Sequence, residues 1–191
     1  MKTSTVQRSV LLVLLLSVSA VLLAQSKTER SDLAWKSTFQ GRLALYGHRN
    51  WIVVADSAFP VYTQPGIETV ATNSDLSSAL GYVMKAISGS KHVRASVFLD
   101  DELEFVDEAD FPGVNALRTQ IAATAGKNPP TRLPHVEVLS KLDEAGKTFR
   151  ILVIKTTTTI PYTSVFIRLD CGYMSDEIDR KIKAAMNATR K

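Results

Sequence analysis

The 191-residue chain contains a single cysteine, Cys171, and no pair of cysteines or histidines at metal-ligand spacing. A disulfide framework and a zinc site therefore lack their minimum residues. We expect Cys171 to be a small buried side chain, with an intermolecular bridge as the alternative. The sequence also lacks a phosphate-binding loop, a GxGxxG and a GxSxG, which argues against nucleotide-binding proteins and serine hydrolases. We predict neither a metal nor a cofactor.

The N-terminus carries an apolar stretch from Val10 to Ala24, which follows Lys2 and Arg8 and contains no acidic residue. It is shorter than the run of about 20 apolar residues that crosses a bilayer. This pattern is typical of a secretory signal peptide. We therefore predict that residues 1–24 are a signal peptide, with an uncleaved anchor as the alternative, and that the mature protein is secreted or periplasmic.

Cleavage of that segment changes what the charge implies. It removes two basic and no acidic side chains, so the net charge falls from +4 to +2. A chain so weakly basic gives little reason to expect a nucleic acid as a partner. After cleavage, nothing in the sequence predicts attachment to a membrane.

Residues 25–191 have the pattern of one α/β domain. Apolar residues at helical spacing after Asp75 predict a helix over 76–87, and Ser175 is expected to begin a C-terminal helix. Short apolar or alternating runs predict strands at 51–55, 93–99, 150–155 and 164–169. The segments around Gln64-Pro65-Gly66 and Pro129-Pro130 are interpreted as loops. Strands interspersed with helices predict a single three-layer α/β/α domain.

The most distinctive segment is GHRNWIVVADSAFP, which spans Gly47 to Pro60. His48 stands just before a buried strand, and Asp56 stands where that strand ends. Ligand sites in α/β sheets gather beyond strand ends, and a carboxylate beside an imidazole fixes its tautomer. A hydrogen bond between the two side chains would give an acid–base pair. The alternative is that His48 caps the preceding helix and Asp56 caps a turn.

This segment resembles the signature GH-(G/T)-D-x-(I/L)-V-(I/V)-x-D-A-x-(F/L)-P of the ribose pyranase and fucose mutarotase family, the RbsD/FucU-like proteins. A second segment, IPYTSVFI from Ile160 to Ile167, resembles the PYANIIL strand of that family. The resemblance implies an RbsD-like mixed sheet flanked by helices, assembly into ring-like homo-oligomers and monosaccharide sites near subunit interfaces.

The activity implied by the resemblance is an isomerase reaction that interconverts sugar anomers or ring forms. Carried over by motif, His48 would be the catalytic acid–base group and Asp56 its orienting or sugar-binding carboxylate. Tyr162 and Ser164 would be substrate-binding residues. No metal or cofactor is implied for this chemistry.

Several positions depart from the family pattern. Arg49, Asn50 and Ser57 replace residues of the first motif, and Ser164 replaces the Asn of PYAN. The family also has a further His or basic residue on a helix before the PYAN strand, and neither His92 nor His135 aligns with it. The catalytic set is therefore incomplete by this comparison. A non-catalytic monosaccharide-binding or oligomeric assembly module on the same scaffold is the alternative function.

The acidic run from Asp100 to Asp110 lacks the order of a calcium-binding loop, so we interpret it as a solvated loop. Trp35 and Trp51 could stack on sugars, but packing in the core is the expectation for both.

Overall fold

The computed structural model describes residues 32–126 and 129–189, and the predicted signal peptide lies outside them. Within the described residues, no helix combines the length and the apolar character needed to cross a bilayer. The elements in chain order are α1 (32–45), β1 (Trp51–Ala55), β2 (Ile67–Ala71), α2 (Leu76–Gly89), β3 (Val93–Asp100), a 3-10 turn (Asp101–Phe105), α3 (Val114–Thr124), β4 (Thr131–Leu133), α4 (His135–Gly146), β5 (Ile151–Lys155), β6 (Val165–Cys171) and α5 (Asp176–Thr189).

The six strands form one mixed sheet in the order β2-β5-β1-β6-β3-β4. β5 runs parallel to both β1 and β2, and β4 runs parallel to β3. β6 is antiparallel to both of its neighbours, β1 and β3. Five strands therefore finish at the same end of the sheet, where β6 begins. We refer to this end as the carboxyl end and to the opposite end as the amino end.

Helices cover both faces of the sheet, which confirms the predicted three-layer α/β/α arrangement. Successive side chains of a strand point to opposite faces. On β1, Ile52 and Val54 face the core formed with α1, α2 and α3. Trp51 and Val53 face the smaller core formed with α4. Trp35 and Trp51 are both buried, as expected of core residues.

The helix predicted after Asp75 begins at Leu76, and Asp75 is its N-cap. The Asp75 carboxylate accepts a hydrogen bond of 2.9 Å from the backbone N–H of Ser78. α5 begins as predicted after Ser175, whose hydroxyl accepts a 3.2 Å hydrogen bond from the N–H of Ile178. Both predictions are confirmed because an N-cap side chain and apolar spacing are local signals.

The structure has two strands, β2 and β4, in segments that the sequence predicts to be loops, so these two predictions are wrong. β2 and β4 are the outermost strands of the sheet, and β4 has only three residues. β2 includes Glu68, whose carboxylate accepts two hydrogen bonds from Arg42 of α1, at 2.6 and 2.9 Å. Short edge strands with polar residues give a weak periodic signal, so pairing with the rest of the sheet decides their structure. Cys171, expected to be buried, is half-buried at the end of β6.

Candidate functional site

Asp56 and Ser164 meet at the carboxyl end, because β1 finishes beside the point where β6 begins. The Ser164 hydroxyl donates a 2.7 Å hydrogen bond to Asp56 Oδ2 and accepts a 3.1 Å bond from the Asp56 N–H. Asp56 Oδ1 accepts a 2.8 Å bond from the N–H of Ala58. Asp56 therefore caps the turn that leaves β1, as the simpler sequence interpretation proposed, and it also joins the two strands.

Asp100 is the last residue of β3 and is wholly buried, so its placement in a solvated loop was wrong. Strand alternation turns it towards the face covered by α4, because Phe98, two residues earlier, packs on that face. Its Oδ2 lies 2.9 Å from His135 Nδ1. Among the described residues, its buried Oδ1 has no hydrogen-bond partner.

Burial also governs the ionisation of Asp100. Loss of solvent raises the pKa of this carboxyl to about 6, against the lowering effect of the hydrogen bond and charge of His135. The nearby negative charges of Glu102 and Asp56 raise the pKa further. A carboxyl with such a pKa is mostly ionised at neutral pH and becomes protonated in mild acid.

His135 is the first residue of α4, and the fold holds it from two sides. Its backbone N–H donates to both carboxylate oxygens of Glu102, at 2.9 and 3.1 Å, so a residue of the 3-10 turn caps α4. Its ring packs edge-on against Tyr162, with 5.4 Å between the ring centroids. The side chain is 33% exposed. Among the described residues, none donates to or accepts from its Nε2, which is therefore open to a ligand.

Tyr162 is positioned by the connection between β5 and β6. Its φ of 59° is in the left-handed region, which side chains other than Gly rarely adopt. Threonines fix the rest of this connection: Thr156 Oγ1 donates a 2.8 Å bond to the Ala55 carbonyl, and Thr163 Oγ1 donates a 2.7 Å bond to the Ile160 carbonyl. The strained residue therefore lies in a segment anchored on both sides, and Tyr162 is 39% exposed.

His48 lies elsewhere, at the amino end. It is exposed on a turn that the Asn50 side chain closes by accepting a 2.9 Å hydrogen bond from the Gly47 N–H. Arg49 in this turn has a φ of 73°. His48 lines an open surface cleft of about 660 Å³ together with Arg168 and Asp170, among others.

The five-residue strand β1 separates His48 from Asp56. At the usual rise of a strand it spans about 17 Å. His48 and Asp56 of one chain are therefore too far apart to form a hydrogen bond. Asp56 bonds instead to Ser164 and Ala58. Of the four site residues taken from the sequence, Asp56, Tyr162 and Ser164 lie at the carboxyl end and His48 does not.

Two residues of the cluster at the carboxyl end escaped the sequence interpretation. Asp100 stands at the start of an acidic run that is interpreted as a solvated loop, and His135 does not align with the further His or basic residue of the family pattern. A signal for each was present. Asp100 continues the alternation of β3, and His135 follows a proline directly before an amphipathic helix, which is a common helix start. No group of three or more His, Cys, Asp or Glu in the described parts of the chain could hold a metal ion.

No family model matches the sequence, and no curated protein matches it significantly. Solved structures do match. RbsD of Bacillus subtilis, complexed with D-ribose, has a TM-score of 0.52 at 17% identity, over 70% of this chain and 92% of that chain. The fucose mutarotase of Streptococcus pneumoniae, in complex with L-fucose, has a TM-score of 0.48 at 15% identity, over 69% of this chain and 89% of that chain. FucU of Bifidobacterium longum has a TM-score of 0.45 at 13% identity, over 70% and 94% of the two chains.

The match to RbsD defines the class of fold, a mixed α/β sheet covered by helices on both faces. More particularly, the chain has the RbsD-like fold that its two sequence motifs predict.

Proposed function

We propose that the protein binds a monosaccharide at the carboxyl end of the sheet and interconverts its anomers or ring forms. The observation that carries this proposal is the cluster itself. A buried carboxylate bonded to an imidazole lies at the end of the sheet where a tyrosine, an aspartate and a serine also converge. Such a set offers both donors and acceptors to a ligand rich in hydroxyl groups. The fold shared with RbsD, whose structure holds D-ribose, supports a sugar as the ligand.

The reaction needs two proton transfers. A base removes the proton of the anomeric hydroxyl while an acid protonates the ring oxygen, and the bond between the anomeric carbon and the ring oxygen breaks. The open-chain sugar then rotates and closes by the reverse steps. Atoms and electrons balance without an oxidant, a metal or a cofactor. Groups that titrate near neutral pH are suited to both transfers.

We further propose that His48 acts from a second protomer. It is exposed at the amino end, about a strand length from Asp56 of its own chain. An oligomer that brings the amino end of one protomer to the carboxyl end of another would complete the site. In that arrangement His48 is the acid–base group, Asp56 and Ser164 bind the sugar, and Tyr162 contacts a sugar hydroxyl.

The test is NMR saturation transfer between the anomers of ribose, fucose and galactose. We expect the wild type to exchange at least one sugar faster than the uncatalysed background, and His48→Ala and Asp56→Asn each to return to it. His92→Ala is the matched control, since His92 is exposed and its ring nitrogen bonds only to the Leu43 carbonyl. Background rates for the wild type with every sugar would contradict the isomerase proposal.

A mixing experiment tests the shared site. The two inactive variants, His48→Ala and Asp56→Asn, are unfolded together and refolded as mixed oligomers. With random assembly, about a quarter of the sites combine an intact His48 with an intact Asp56, so activity should return to that level. Mixtures as inactive as their components would exclude a site built from these two residues across an interface.

One observation favours a second function, sugar binding without turnover. Within one chain, the proposed acid–base group His48 is about a strand length from Asp56, so a single protomer holds the sugar-binding residues Asp56 and Ser164 without it. Calorimetry with the same sugars separates the two functions. Binding without faster exchange would identify a non-catalytic module.

Export is also proposed, from the signal peptide expected over residues 1–24. Sequencing of the N-terminus of the protein recovered from the periplasm or the medium tests it. A chain that keeps these residues and stays inside the cell would contradict it.

A further inference from the structure

We infer that Asp100 is a positioning residue, which holds His135 in the tautomer that carries its proton on Nδ1 and so presents the Nε2 lone pair to the ligand as a second acid–base group. This inference deepens the proposed isomerase function and rests on it. His48 supplies one proton-transfer group, and the reaction needs two. The Asp100–His135 pair supplies the other from within a single protomer.

The contact geometry is the first argument. Asp100 Oδ2 lies 2.9 Å from His135 Nδ1. An ionised carboxylate can only accept a hydrogen bond, so Nδ1 must carry the proton. Nε2 of the neutral ring is then left with its lone pair, and none of the residues described in the structure uses it. A carboxylate behind an imidazole also makes the exposed nitrogen more basic.

The burial of Asp100 is the second argument. Its side chain is wholly buried, and its Oδ1 has no partner among the described residues. A buried carboxylate with one unpaired oxygen lowers the stability of a fold, and an apolar residue at the end of β3 would be better tolerated. A residue so unfavourable for stability is expected to have a role in the chemistry of the site. Its pKa of about 6 leaves it mostly ionised at neutral pH, as the positioning role requires.

The surroundings of His135 are the third argument. The Tyr162 and His135 rings pack in a T-shaped arrangement, and Glu102 accepts hydrogen bonds from the His135 backbone N–H. Neither contact is a hydrogen bond to a nitrogen of the ring. Among the described residues, the only hydrogen bond of the ring is therefore the one that Nδ1 donates to Asp100, which makes Asp100 the group that selects the tautomer.

The experiment reads the tautomer directly, in the full chain without any sugar. Two-bond 1H–15N correlation spectra of the protein labelled at histidine distinguish a proton on Nδ1 from one on Nε2. We expect wild-type His135 in the Nδ1–H form at pH 8, and a shift towards the Nε2–H form in Asp100→Asn. Asp101→Asn is the control, because the hydrogen bonds of His135 go to Asp100 and Glu102 and not to the neighbouring Asp101, and it should leave the spectrum unchanged.

The kinetic arm uses the same variants in the anomer-exchange assay. We expect Asp100→Asn to lower the maximal exchange rate about ten- to a hundredfold with little change in KM, as for other residues that act through a neighbour. The wild-type rate should fall below about pH 6, where Asp100 becomes protonated. The ratio of the wild-type rate to the Asp100→Asn rate should therefore fall below about pH 6, because only the wild type loses an ionised Asp100 there.

The outcomes separate the inference from the proposed function. A wild-type His135 in the Nε2–H form overturns the inference even if Asp100→Asn does not fold. An unchanged rate in a folded Asp100→Asn protein also overturns it. Absence of any exchange in the wild type would remove the isomerase function, while the spectra would still decide whether Asp100 controls the tautomer of His135.

Discussion

Asp100 couples the stability of the fold to pH. Folding raises the pKa of this carboxyl from its ordinary value of 3.8 to about 6 through burial. Between these two values, the folded state binds more protons than the unfolded state. The contribution of Asp100 to the free energy of unfolding therefore decreases as the pH rises from 3.8 to about 6, and this contribution is constant at higher pH.

Asp100→Asn removes this dependence. We expect the free energy of unfolding of the variant, relative to the wild type, to increase from pH 4 to pH 6 and then to level off. Urea unfolding at a series of pH values measures it. Asp75→Asn is the control of opposite sign, because hydrogen bonds from Ser78 hold the pKa of Asp75 below its ordinary value. Its relative stability should fall as the pH rises. A flat difference for Asp100→Asn would show that burial does not govern this carboxyl.

At the level of single residues, the sequence predicts three members of the cluster at the carboxyl end. Asp56 follows the apolar run of β1, so its place at a strand end follows from local pattern, whereas Tyr162 and Ser164 are identified by the resemblance of their motif to the RbsD/FucU-like family. Asp100 and His135 come from β3 and α4, and 35 positions separate them in the chain. Their contact depends on β3 and β4 pairing side by side, which no local pattern encodes.

Among the elements, the end of α4 approaches the turn before β2 so closely that both segments carry a glycine. A Cβ added to Gly66 would meet the carbonyl oxygen of Gly146, and it would lie 2.9 Å from that of Phe149. Both are backbone atoms, which cannot move aside as the end of a flexible side chain can. The contact fixes the distance between α4 and the β2 edge of the sheet.

Gly66→Ala should therefore destabilise the protein, by about 2 kcal/mol or more, since the backbone must shift to admit the methyl group. Gly81→Ala is the matched control. Gly81 lies inside α2, and an added Cβ there would have nothing within 4 Å. The substitution Gly81→Ala should therefore stabilise the helix by about 0.5–1 kcal/mol. Chemical unfolding measures both. Equal effects of the two substitutions would mean that the α4 contact does not constrain the fold.

The elements that the sequence predicts well are those with a strong period or a cap. β1 is a continuous apolar run buried on both faces, and α2 has apolar residues at helical spacing after Asp75. β2 and β4 lack such signals because they are short and lie at the edges of the sheet, where polar side chains are tolerated. Their structure is decided by the strands beside them.

For the whole molecule, the separation of His48 from the cluster at the carboxyl end means that, in the proposed function, catalysis requires assembly of protomers. A single chain has both groups but holds them at opposite ends of the sheet, and its rigid strands cannot bring them together. The proposed active unit therefore contains at least two protomers.

Dilution tests this dependence. We expect the exchange rate per protomer to fall when the protein is diluted until the oligomer dissociates, because a monomer lacks a complete site. Light scattering after gel filtration gives the oligomeric state at each concentration. Asp101→Asn should behave as the wild type does in both measurements. A monomer that keeps the full rate would show that His48 is not part of the site.

If the proposed function holds, the opposite placement of His48 and Asp56 has a genetic consequence. Substitutions that abolish activity should fall into two complementation classes, one at the turn around His48 and one at the cluster that contains Asp56 and His135. Chains from different classes can rescue each other, whereas chains from the same class cannot. A chain altered in both classes would inactivate two sites, its own cluster and the one that its His48 completes, and would therefore lower the activity of wild-type chains made in the same cell.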